Sequence, residues 1–575
     1  MLKHTPRLIY KAINTPLRQN IDISVLNAKI DQFLKNEKKI NSFINGREIE
    51  TSATKRFYSP MNNKYSIYNY GSLDKRFLRE ALKNAEDHKR IWRGITQEEK
   101  NRIFLDAANL IEGKYFYDMM AATMVNQGKN EYEAQIDCIQ ELCDFLRFNV
   151  QYAEEIRAEQ PLSPHPKIVN RSEYIPLMGS TVAITPFNFT AIAGNLATAP
   201  LLFDNINFWK PSEKSLLSNK LIHDILLEAN MPPEVLNFCV VQPDLFVEEI
   251  KNTELGAVLF TGSSFVFERI KNTIKTNNYH RVNPNVRFMG ETGGKNFHFI
   301  DNNADLDWAA RKTAESAFNY SGQKCSACSR VYVPKEDEDA FVEKMKYYAN
   351  EPSFENSNTN VYGLIDEDAF TKTINTLKTM TINESNTLVF GGEANSEKNY
   401  YVAPTLFKTA NKHSELYKKE YFAPILVMYP YVDKEEAMEH CATITNYRLT
   451  GSVFSNDEEF IKKASYYFRY NCGNFYINDK STGAVVAQQP FGGFGISGTN
   501  DKAGGKHMLK SLFLQRNIKE NKAVSIKEDF ECEKQKEKET DENRGKEEKE
   551  KDDIGFILLT VATALSVINV CIKII

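Results

Sequence analysis

Residues 206–241, INFWKPSEKSLLSNKLIHDILLEANMPPEVLNFCVV, place two short apolar runs on either side of a longer segment with helical spacing. The runs Ile206–Trp209 and Val235–Val241 predict buried strands, and Lys214–Asn230 predicts a helix that ends at a Pro-Pro pair. Residues 257–264, AVLFTGSS, predict a further strand that turns into a helix. Strands that alternate with helices at this spacing indicate an α/β fold with a parallel, doubly wound sheet.

The composition of the whole chain agrees with a large globular enzyme. Its 575 residues, of which 42% are hydrophobic, are enough for two or three domains with sizeable cores. The 72 Lys and Arg residues and the 76 Asp and Glu residues give a net charge of −4, which argues against binding of nucleic acid through a basic face. Nine cysteines, few and unevenly spaced, predict free thiols in a reducing compartment.

The two ends of the chain differ from the middle. The first 20 residues contain four basic residues and no acidic one, which fits a transit peptide or an ordinary basic arm. Residues 526–553 are rich in charge and predict a solvated linker. Ile554–Ile572 is uncharged over 19 residues, about 28 Å of helix, and predicts a transmembrane helix, with a buried terminal helix as the alternative.

The segment Tyr320–Arg330, YSGQKCSACSR, contains the best candidate for a nucleophile. Small residues around Cys325 leave room for a substrate, and the neighbouring Lys324 favours the thiolate. With Cys328 it also matches a thiol redox pair or half of a zinc site, although two further zinc ligands at similar spacing are missing and no metal is expected. An inert buried thiol remains an alternative on the local sequence alone.

Two further residues suit catalysis. Glu291, followed by Thr and two glycines, could lie where the backbone approaches a cofactor or substrate, but a surface carboxylate is the simpler interpretation. Asn188, at the end of a predicted strand, could donate a hydrogen bond to a developing oxyanion. A turn-capping asparagine is the alternative for that position.

Taken together, these segments resemble the aldehyde dehydrogenase superfamily over roughly residues 35 to 520. Each element is weak by itself, but the ordered set is specific. The elements are Thr185–Phe189, Trp209–Glu213, Phe260–Ser263, Glu291–Phe297, Gly322–Cys325, Glu420–Phe422 and Gln488–Gly493. Phe267 and the stretches Asn478–Gly483 and Ser497–Asp501 resemble the branch that oxidises glutamate semialdehyde.

The resemblance implies an architecture of several parts. A Rossmann-type NAD-binding domain would comprise residues 20–153 and 179–289, and an α/β catalytic domain residues 290–488. A β oligomerisation arm would comprise residues 154–178 and 489–525, which implies a homodimer or a larger assembly. The charged linker and the transmembrane helix, residues 554–572, would follow as additions foreign to the family.

The resemblance also implies a reaction and its catalytic residues. Cys325 would attack the aldehyde carbon of L-glutamate 5-semialdehyde, which forms from pyrroline-5-carboxylate, and Asn188 would hold the oxyanion. After hydride transfer to NAD, Glu291 would activate the water that releases L-glutamate, the second step of proline degradation. Another NAD-dependent semialdehyde dehydrogenase, or a tail-anchored binding protein that keeps the fold without catalysing, are the alternatives.

Family positions carry over to two sets of ligand-binding residues. Residues that would bind NAD are Thr185, Lys210, Glu213, Gly262, Ser263, Phe267, Glu420 and Phe422, and the charge of Glu213 would favour NAD over NADP. Residues that would bind the substrate are Phe189, Ser326, Gly483, Ala484 and Phe491. The family usually has serine in place of Ala484, which removes one side-chain hydrogen bond to a carboxylate. Ala423 replaces a family glycine.

A second glycine-rich segment matches a known cofactor-binding pattern. Gly493–Gly498 matches the fingerprint G-x-G-x-x-G, but it lacks the flanking strand and helix of a dinucleotide site and is not interpreted as one.

The family is mostly mitochondrial and located in the matrix, in agreement with the basic N-terminus. The predicted C-terminal helix implies membrane association, with a tail anchor in the mitochondrial outer membrane or the reticulum as the alternative.

Overall fold

A computed structural model describes residues 9–164, 167–276, 285–350, 363–397, 399–522 and residue 538. The chain divides into two compact units. The larger contains residues up to Ile156 and Ile175–Leu514, and the smaller contains Arg157–Tyr174 and the residues from Gln515 onward.

The larger unit contains a first sheet of seven strands. Its edge-to-edge order is Arg287–Glu291, Leu255–Thr261, Ser180–Ile184, Asn207–Lys210, Leu236–Phe238, Ser42–Ile44 and Arg47–Ile49. The first five of these are mutually parallel, and the last two are antiparallel additions. The parallel, helix-covered sheet predicted from residues 206–264 is therefore confirmed.

The strand order of the first sheet reverses next to Ser180–Ile184. After this central strand the chain adds Asn207–Lys210 on one side of it. The chain later adds Leu255–Thr261 on the other side. In a parallel sheet, the connections at such a reversal leave a crevice at the carboxyl ends of the strands, where ligands bind. The residues that follow the two strands, Thr185 and Gly262, lie at this crevice.

A second seven-stranded sheet is mostly parallel as well. Its order is Asn386–Phe390, Thr405–Thr409, Ile425–Tyr431, Cys328–Pro334, Asn296–Ile300, Thr450–Phe454 and Asn474–Ile477. Two apolar clusters cover it, one centred on Phe299 and Tyr332 and the other on Val331 and Phe341. The chain crosses from the first sheet to the second immediately after Glu291, so this glutamate lies at the junction of the two sheets.

Helices and three smaller sheets complete the described residues of the larger unit. A three-stranded sheet has the order Lys38–Ile40, Asn62–Tyr70, Lys55–Ser59, and two-stranded sheets pair Ala394–Asn395 with Tyr401–Val402 and Tyr447–Arg448 with Phe494–Gly495. The longer helices are Ile23–Lys35, Lys75–Gly94, Gln97–Glu112, Phe116–Gln127, Leu142–Ala158, Thr190–Thr198, Leu216–Glu228, Pro243–Ile250, Ser264–Lys275, Leu306–Phe318, Glu338–Asn350, Glu367–Thr381, Lys434–Thr443 and Glu458–Tyr467. A π-helix, Gln135–Glu141, leads into Leu142–Ala158.

The smaller unit is built around one pair of strands. Ile168–Pro176 pairs with Phe513–Asn521. The pair is reinforced by a hydrogen bond from the Lys522 N–H to the Lys167 carbonyl, 2.7 Å, and by an ion pair between Arg171 and Glu520. Among the described residues, neither edge of this two-stranded sheet pairs with a further strand.

The predicted fold class needs one correction. Among the residues described, no helix is long and apolar enough to cross a membrane. The predicted span, residues 554–572, lies outside the described residues, as does the predicted linker except for residue 538. The transmembrane helix therefore has no support and is removed from the fold class, which is an α/β fold with two seven-stranded sheets.

Candidate active site

A cavity of about 820 Å³ opens at the strand-order reversal of the first sheet. The structure brings together in its wall nine of the residues predicted from the sequence. They are Thr185, Asn188, Lys210, Glu213, Gly262, Ser263, Cys325, Glu420 and Phe422. Thr185, Lys210 and Gly262 reach the cavity from the carboxyl ends of strands in the first sheet, whereas Cys325 and Glu420 lie just before strands of the second sheet.

Cys325 is partly exposed and belongs to the wall of this cavity. It follows three consecutive residues with positive φ, Tyr320, Ser321 and Gly322, whose φ values are 54°, 51° and 66°. Such a backbone is strained for residues other than glycine and persists only when the surroundings hold it. Here the Tyr320 hydroxyl donates to the Gln127 carbonyl, and the Asn296 amide donates to the Cys325 carbonyl.

Burial raises the pKa of the Cys325 thiol, and the negative charges of Glu420 and Glu291 raise it further. The N–H groups of Ser326 and of Cys325 itself lower the pKa by less. Burial and these two carboxylates therefore decide the balance, contrary to the expectation that Lys324 favours the thiolate. In this environment the sulfur is held as a thiol, and ionisation needs positive charge or a proton acceptor in the cavity.

Glu291 ends the strand Arg287–Glu291 and lies against the glycine pattern that the sequence analysis set aside. The Gly493 N–H donates to Glu291 Oε2, 3.0 Å, and a Cβ at Gly492 would come within 2.6 Å of Oε1. Glu291 Oε1 is buried and has no hydrogen-bond partner among the described residues. Burial raises the pKa of this carboxyl well above its usual value. A raised pKa makes the ionised carboxylate a stronger base, and the unpaired oxygen can accept a proton from a water molecule.

Asn188 is buried at the start of the helix Thr190–Thr198. Its side-chain amide donates to the Gln323 carbonyl, 3.0 Å, and thereby reaches the segment that carries Cys325. An amide nitrogen has two hydrogens, and among the described residues the second has no acceptor. The remaining N–H is available to a ligand in the cavity.

Thr185 and Lys210 form the floor of the cavity at the ends of two neighbouring strands. Thr185 Oγ1 accepts a hydrogen bond from Trp209 Nε1, 2.9 Å, which fixes its side chain. Lys210 is 5% exposed, and its ammonium donates to the Pro211 carbonyl, 3.2 Å. Burial lowers the pKa of Lys210 to about 8. A buried ammonium with one protein acceptor has further hydrogens for a polar ligand.

Acidic groups line the cavity at two other points. The Gly294 N–H donates to Glu420 Oε1, 2.8 Å, and burial raises the pKa of Glu420 to about 7. Glu213 accepts hydrogen bonds from Lys55 Nζ, 3.1 Å, and from the Tyr70 hydroxyl, 3.0 Å. Carboxylates held in this way accept hydrogen bonds from sugar hydroxyls and repel phosphate.

Ser263 caps the helix Ser264–Lys275, because its hydroxyl accepts a hydrogen bond from the Val266 N–H, 3.3 Å. The N-terminus of this helix faces the cavity and is suited to an anion. Phe267, one turn into the helix, is buried and stacks on Phe260 with 5.4 Å between ring centroids. Its ring occupies the space that a side chain at Gly290 would need. Phe267 therefore supports the cavity from behind rather than lining it.

The predicted substrate residues lie outside the wall of this cavity. Ser326 is buried next to Cys325, and its carbonyl accepts hydrogen bonds from Thr450 and Ser481. Ser481 begins the stretch that contains Gly483 and Ala484, so this stretch is tied to the nucleophile segment. The remaining two, Phe189 and Phe491, are half-buried.

A buried ion pair beneath the site was missed by the sequence analysis. Lys129 and Asp137 are each 1% exposed, with 2.6 Å between Nζ and Oδ2. Asp137 also accepts hydrogen bonds from the N–H groups of Thr190 and Ala191, and Lys129 lies 4.1 Å from the ring of Phe189. The pair fixes the turn that presents Asn188. Lys129 follows the helix Phe116–Gln127, and Asp137 lies in the π-helix after further charged residues, so no local pattern marks the pair.

Comparison with known proteins identifies the family to which the chain belongs. The pattern of the Aldehyde dehydrogenase family matches residues 49–518, and the chain belongs to that family. The chain is 42% identical over 492 residues, 83% of this chain and 85% of the relative, to the mitochondrial delta-1-pyrroline-5-carboxylate dehydrogenase of Emericella nidulans. It is 36% identical over 530 residues, 90% and 93% of the two chains, to the enzyme of the same name from Homo sapiens.

Solved structures give the same result. The crystal structure of the delta-pyrroline-5-carboxylate dehydrogenase from Mycobacterium tuberculosis bound with NAD has a TM-score of 0.84 and 32% identity, and the match covers 90% of this chain and 97% of that one. A 1-pyrroline-5-carboxylate dehydrogenase from Thermus with bound NAD has a TM-score of 0.80 and 27% identity, with 89% and 99% covered. The family predicted from the sequence is confirmed.

Proposed function

We propose that the chain oxidises L-glutamate 5-semialdehyde to L-glutamate with NAD, the second step of proline degradation. The observation that carries the proposal is the convergence of Cys325, Asn188, Lys210 and Glu420 on one cavity, with Glu291 at the adjacent junction of the sheets. The names of the similar proteins supply the substrate and, from Mycobacterium tuberculosis, the cofactor.

The chain's own residues divide the oxidation into two covalent steps. Cys325 first loses its thiol proton to water in the cavity. Sγ then attacks the aldehyde carbon, and the free N–H of Asn188 donates to the oxygen that becomes negative. A bound NAD would supply the acceptor for the hydride that this carbon loses when the thioester forms. Glu291 then takes a proton from water, and the hydroxide attacks the thioester and breaks its C–S bond. Glutamate leaves as the proton passes from Glu291 to the Cys325 thiolate.

The residues present in the cavity fit NAD. Lys210 and Glu420 supply a donor and an acceptor for ribose hydroxyls, and the capped N-terminus of Ser264–Lys275 suits the pyrophosphate. Glu213 disfavours a phosphate on the adenosine ribose, which supports NAD rather than NADP. A volume of about 820 Å³ is in the range of small-molecule and cofactor sites.

The substrate carboxylate would bind to the backbone of the stretch that begins at Ser481. Among the described residues, the N–H groups of Gly483 and Ala484 have no hydrogen-bond partner. Unpaired backbone donors suit an anion, and they do not require the family serine that Ala484 replaces. Phe189 and Phe491 would flank the aliphatic part of the substrate.

The test is a substrate comparison with the purified full-length chain. With NAD, we expect kcat/KM for glutamate semialdehyde, supplied as pyrroline-5-carboxylate, to exceed that for propanal by at least about a hundredfold, because propanal lacks the carboxylate. Preference for propanal would contradict the proposal. The same assay with NADP in place of NAD tests the role assigned to Glu213.

Replacement of Asn188 by alanine should lower kcat by about 10²- to 10³-fold, because one oxyanion donor is lost. The KM for NAD should change little, since Asn188 acts on the aldehyde oxygen. Steady-state kinetics of Asn188→Ala and Asn188→Asp check this, and the aspartate should be at least as damaging because its charge repels an oxyanion. A kcat within threefold of the wild type would remove Asn188 from the mechanism.

The activity of the enzyme should increase as the pH is raised. Burial raises the pKa values of both Cys325 and Glu291, so both groups are protonated at low pH and must lose a proton to act. We expect kcat, which includes hydrolysis of the thioester by Glu291, to increase with pH. Burial raises the pKa of Glu420 to about 7, so the rise should persist in Glu420→Gln if Cys325 and Glu291 cause it. A flat profile in both proteins would contradict the assignment.

We propose a mitochondrial location, which the names of the relatives and the basic N-terminus support. Any leader removed on import should end before Tyr10. The Tyr10 N–H donates to Glu154, and Thr15 is 1% exposed with its N–H donating to Asp144. Fractionation and N-terminal sequencing test this, and a mature chain that begins after Thr15 would contradict it.

An assembly of at least two chains remains a proposal too. The strand pair Ile168–Pro176 and Phe513–Asn521 has free edges that could pair with a second copy. Light scattering of the purified chain should give at least twice the chain mass, and a monomer at micromolar concentration would contradict an obligate dimer.

A further inference from the structure

The N-terminal arm, residues 9–20, runs without helix or strand and packs on the helix Leu142–Ala158. The N–H groups of Tyr10, Ala12 and Thr15 donate to side chains of that helix, namely Glu154, Gln151 and Asp144. Thr15 also accepts a hydrogen bond from Arg147 through its hydroxyl, 2.8 Å, and from Gln140 through its carbonyl, 2.8 Å. The arm is therefore a fixed part of the larger unit.

Asn14 uses its whole side-chain amide to join two parts of the chain. Nδ2 donates to Asp144 Oδ2, 2.7 Å, and to the Val486 carbonyl, 3.0 Å. Oδ1 accepts from Gln488 Nε2, 2.9 Å. Two of the three hydrogen bonds reach a loop more than 470 positions further along the sequence. The two donor hydrogens of the amide are both used, which fixes its orientation.

The loop that Asn14 holds is residues 481–491, here called the anchor loop. It contains no helix, and its regular pairing is confined to an isolated bridge at Phe491. Its first residue is tied to Ser326 by the Ser481 hydroxyl, 3.2 Å, and its last residue donates to the Ala503 carbonyl, 2.8 Å. Between these ends lie Gly483 and Ala484, whose N–H groups have no partner among the described residues.

We infer that Asn14 is a positioning residue that holds the anchor loop so that the N–H groups of Gly483 and Ala484 receive the substrate carboxylate. This inference rests on the proposed function. Neutral backbone donors bind a carboxylate well only in a fixed direction, because no charged side chain compensates for a misplaced one. The Ala487 N–H also donates to the Gly504 carbonyl, 3.0 Å, so Asn14 shares the restraint on the middle of the loop. Asn14 therefore contributes to the preference for a carboxylated aldehyde.

The test compares two aldehydes in the full-length chain with NAD. Asn14→Ala should raise the KM for glutamate semialdehyde by about tenfold, the effect of two lost hydrogen bonds of ordinary strength. The KM for NAD and the kcat/KM for propanal should stay within twofold, because neither uses the N–H groups of Gly483 and Ala484 and Phe491 is held separately by the Ala503 carbonyl. Ile13→Ala is the matched control, since Ile13 is the adjacent residue and is 77% exposed, and it should match the wild type.

Gln488→Ala removes one of the two contacts from the loop side without leaving Asp144 unpaired, and should raise the same KM by about threefold. If Asn14→Ala does not fold, the Gln488→Ala variant tests the role of this contact instead. An unchanged KM for glutamate semialdehyde, or an equal loss for both aldehydes, would overturn the role of Asn14. Failure of the wild-type chain to oxidise glutamate semialdehyde would instead contradict the proposed function.

Discussion

Replacement of Cys325 by alanine should lower kcat for glutamate semialdehyde by at least about 10⁴-fold, because no other group can form the covalent bond to the aldehyde carbon. Cys325 is the cysteine that lines the cavity, and Cys328, three residues later, is buried with its thiol donating to the Arg330 carbonyl. Steady-state kinetics with NAD, and a binding titration with NAD alone, measure the effect. Binding of NAD should persist.

Cys328→Ala is the matched control for this result, since it removes a thiol from the same segment but not from the cavity. It should keep the turnover within about threefold of the wild type, with some loss of stability from the small space that it leaves in the core. Undiminished turnover in Cys325→Ala, or equal loss in both variants, would show that Cys325 is not the nucleophile.

Replacement of Glu291 by glutamine should have the second largest effect, a loss of kcat of about 10²- to 10⁴-fold, as expected for removal of a general base. Glutamine keeps the shape and can still accept the hydrogen bond that the Gly493 N–H donates to Oε2. The base acts after the hydride has left. The first turnover should therefore still occur, and rapid-mixing absorbance should show a burst of about one NADH per active site followed by a slow phase.

Lys502 provides the control for Glu291. It is near enough that its charge lowers the pKa of Glu291, and its ammonium donates to the Gly473 and Gly492 carbonyls. Lys502→Met should shift the rise of activity with pH to higher pH, because the charge that lowers the pKa of Glu291 is lost, without abolishing turnover. A Glu291→Gln variant with slow turnover and no burst would place Glu291 before hydride transfer, contrary to its role as the hydrolytic base.

The elements of the first sheet could be predicted because each is local. The predicted helix Lys214–Asn230 is Leu216–Glu228 in the structure, and the predicted strand Ala257–Phe260 is the middle of Leu255–Thr261. An uninterrupted apolar run bounded by turns marks a strand buried on both faces wherever it occurs. The transmembrane helix rested on hydropathy alone, and the described residues give it no support.

The motif residues could be placed in one site only through the family resemblance, because the contacts that shape it are distant in sequence. Glu291 and Gly493 are 202 positions apart, and no local pattern shows that the glycine fingerprint packs on the carboxylate. The protonation of Cys325 was missed for the same reason. A neighbouring lysine in sequence suggested a low pKa, whereas burial and two distant carboxylates decide it.

The most direct test of the account is mass spectrometry of the Glu291→Gln variant after mixing with NAD and glutamate semialdehyde. The account predicts that the chain gains one glutamyl group, that peptide mapping places it on Cys325, and that Cys325→Ala in the same background prevents it. A modification on another residue, or turnover by this variant without any acylated chain, would contradict it.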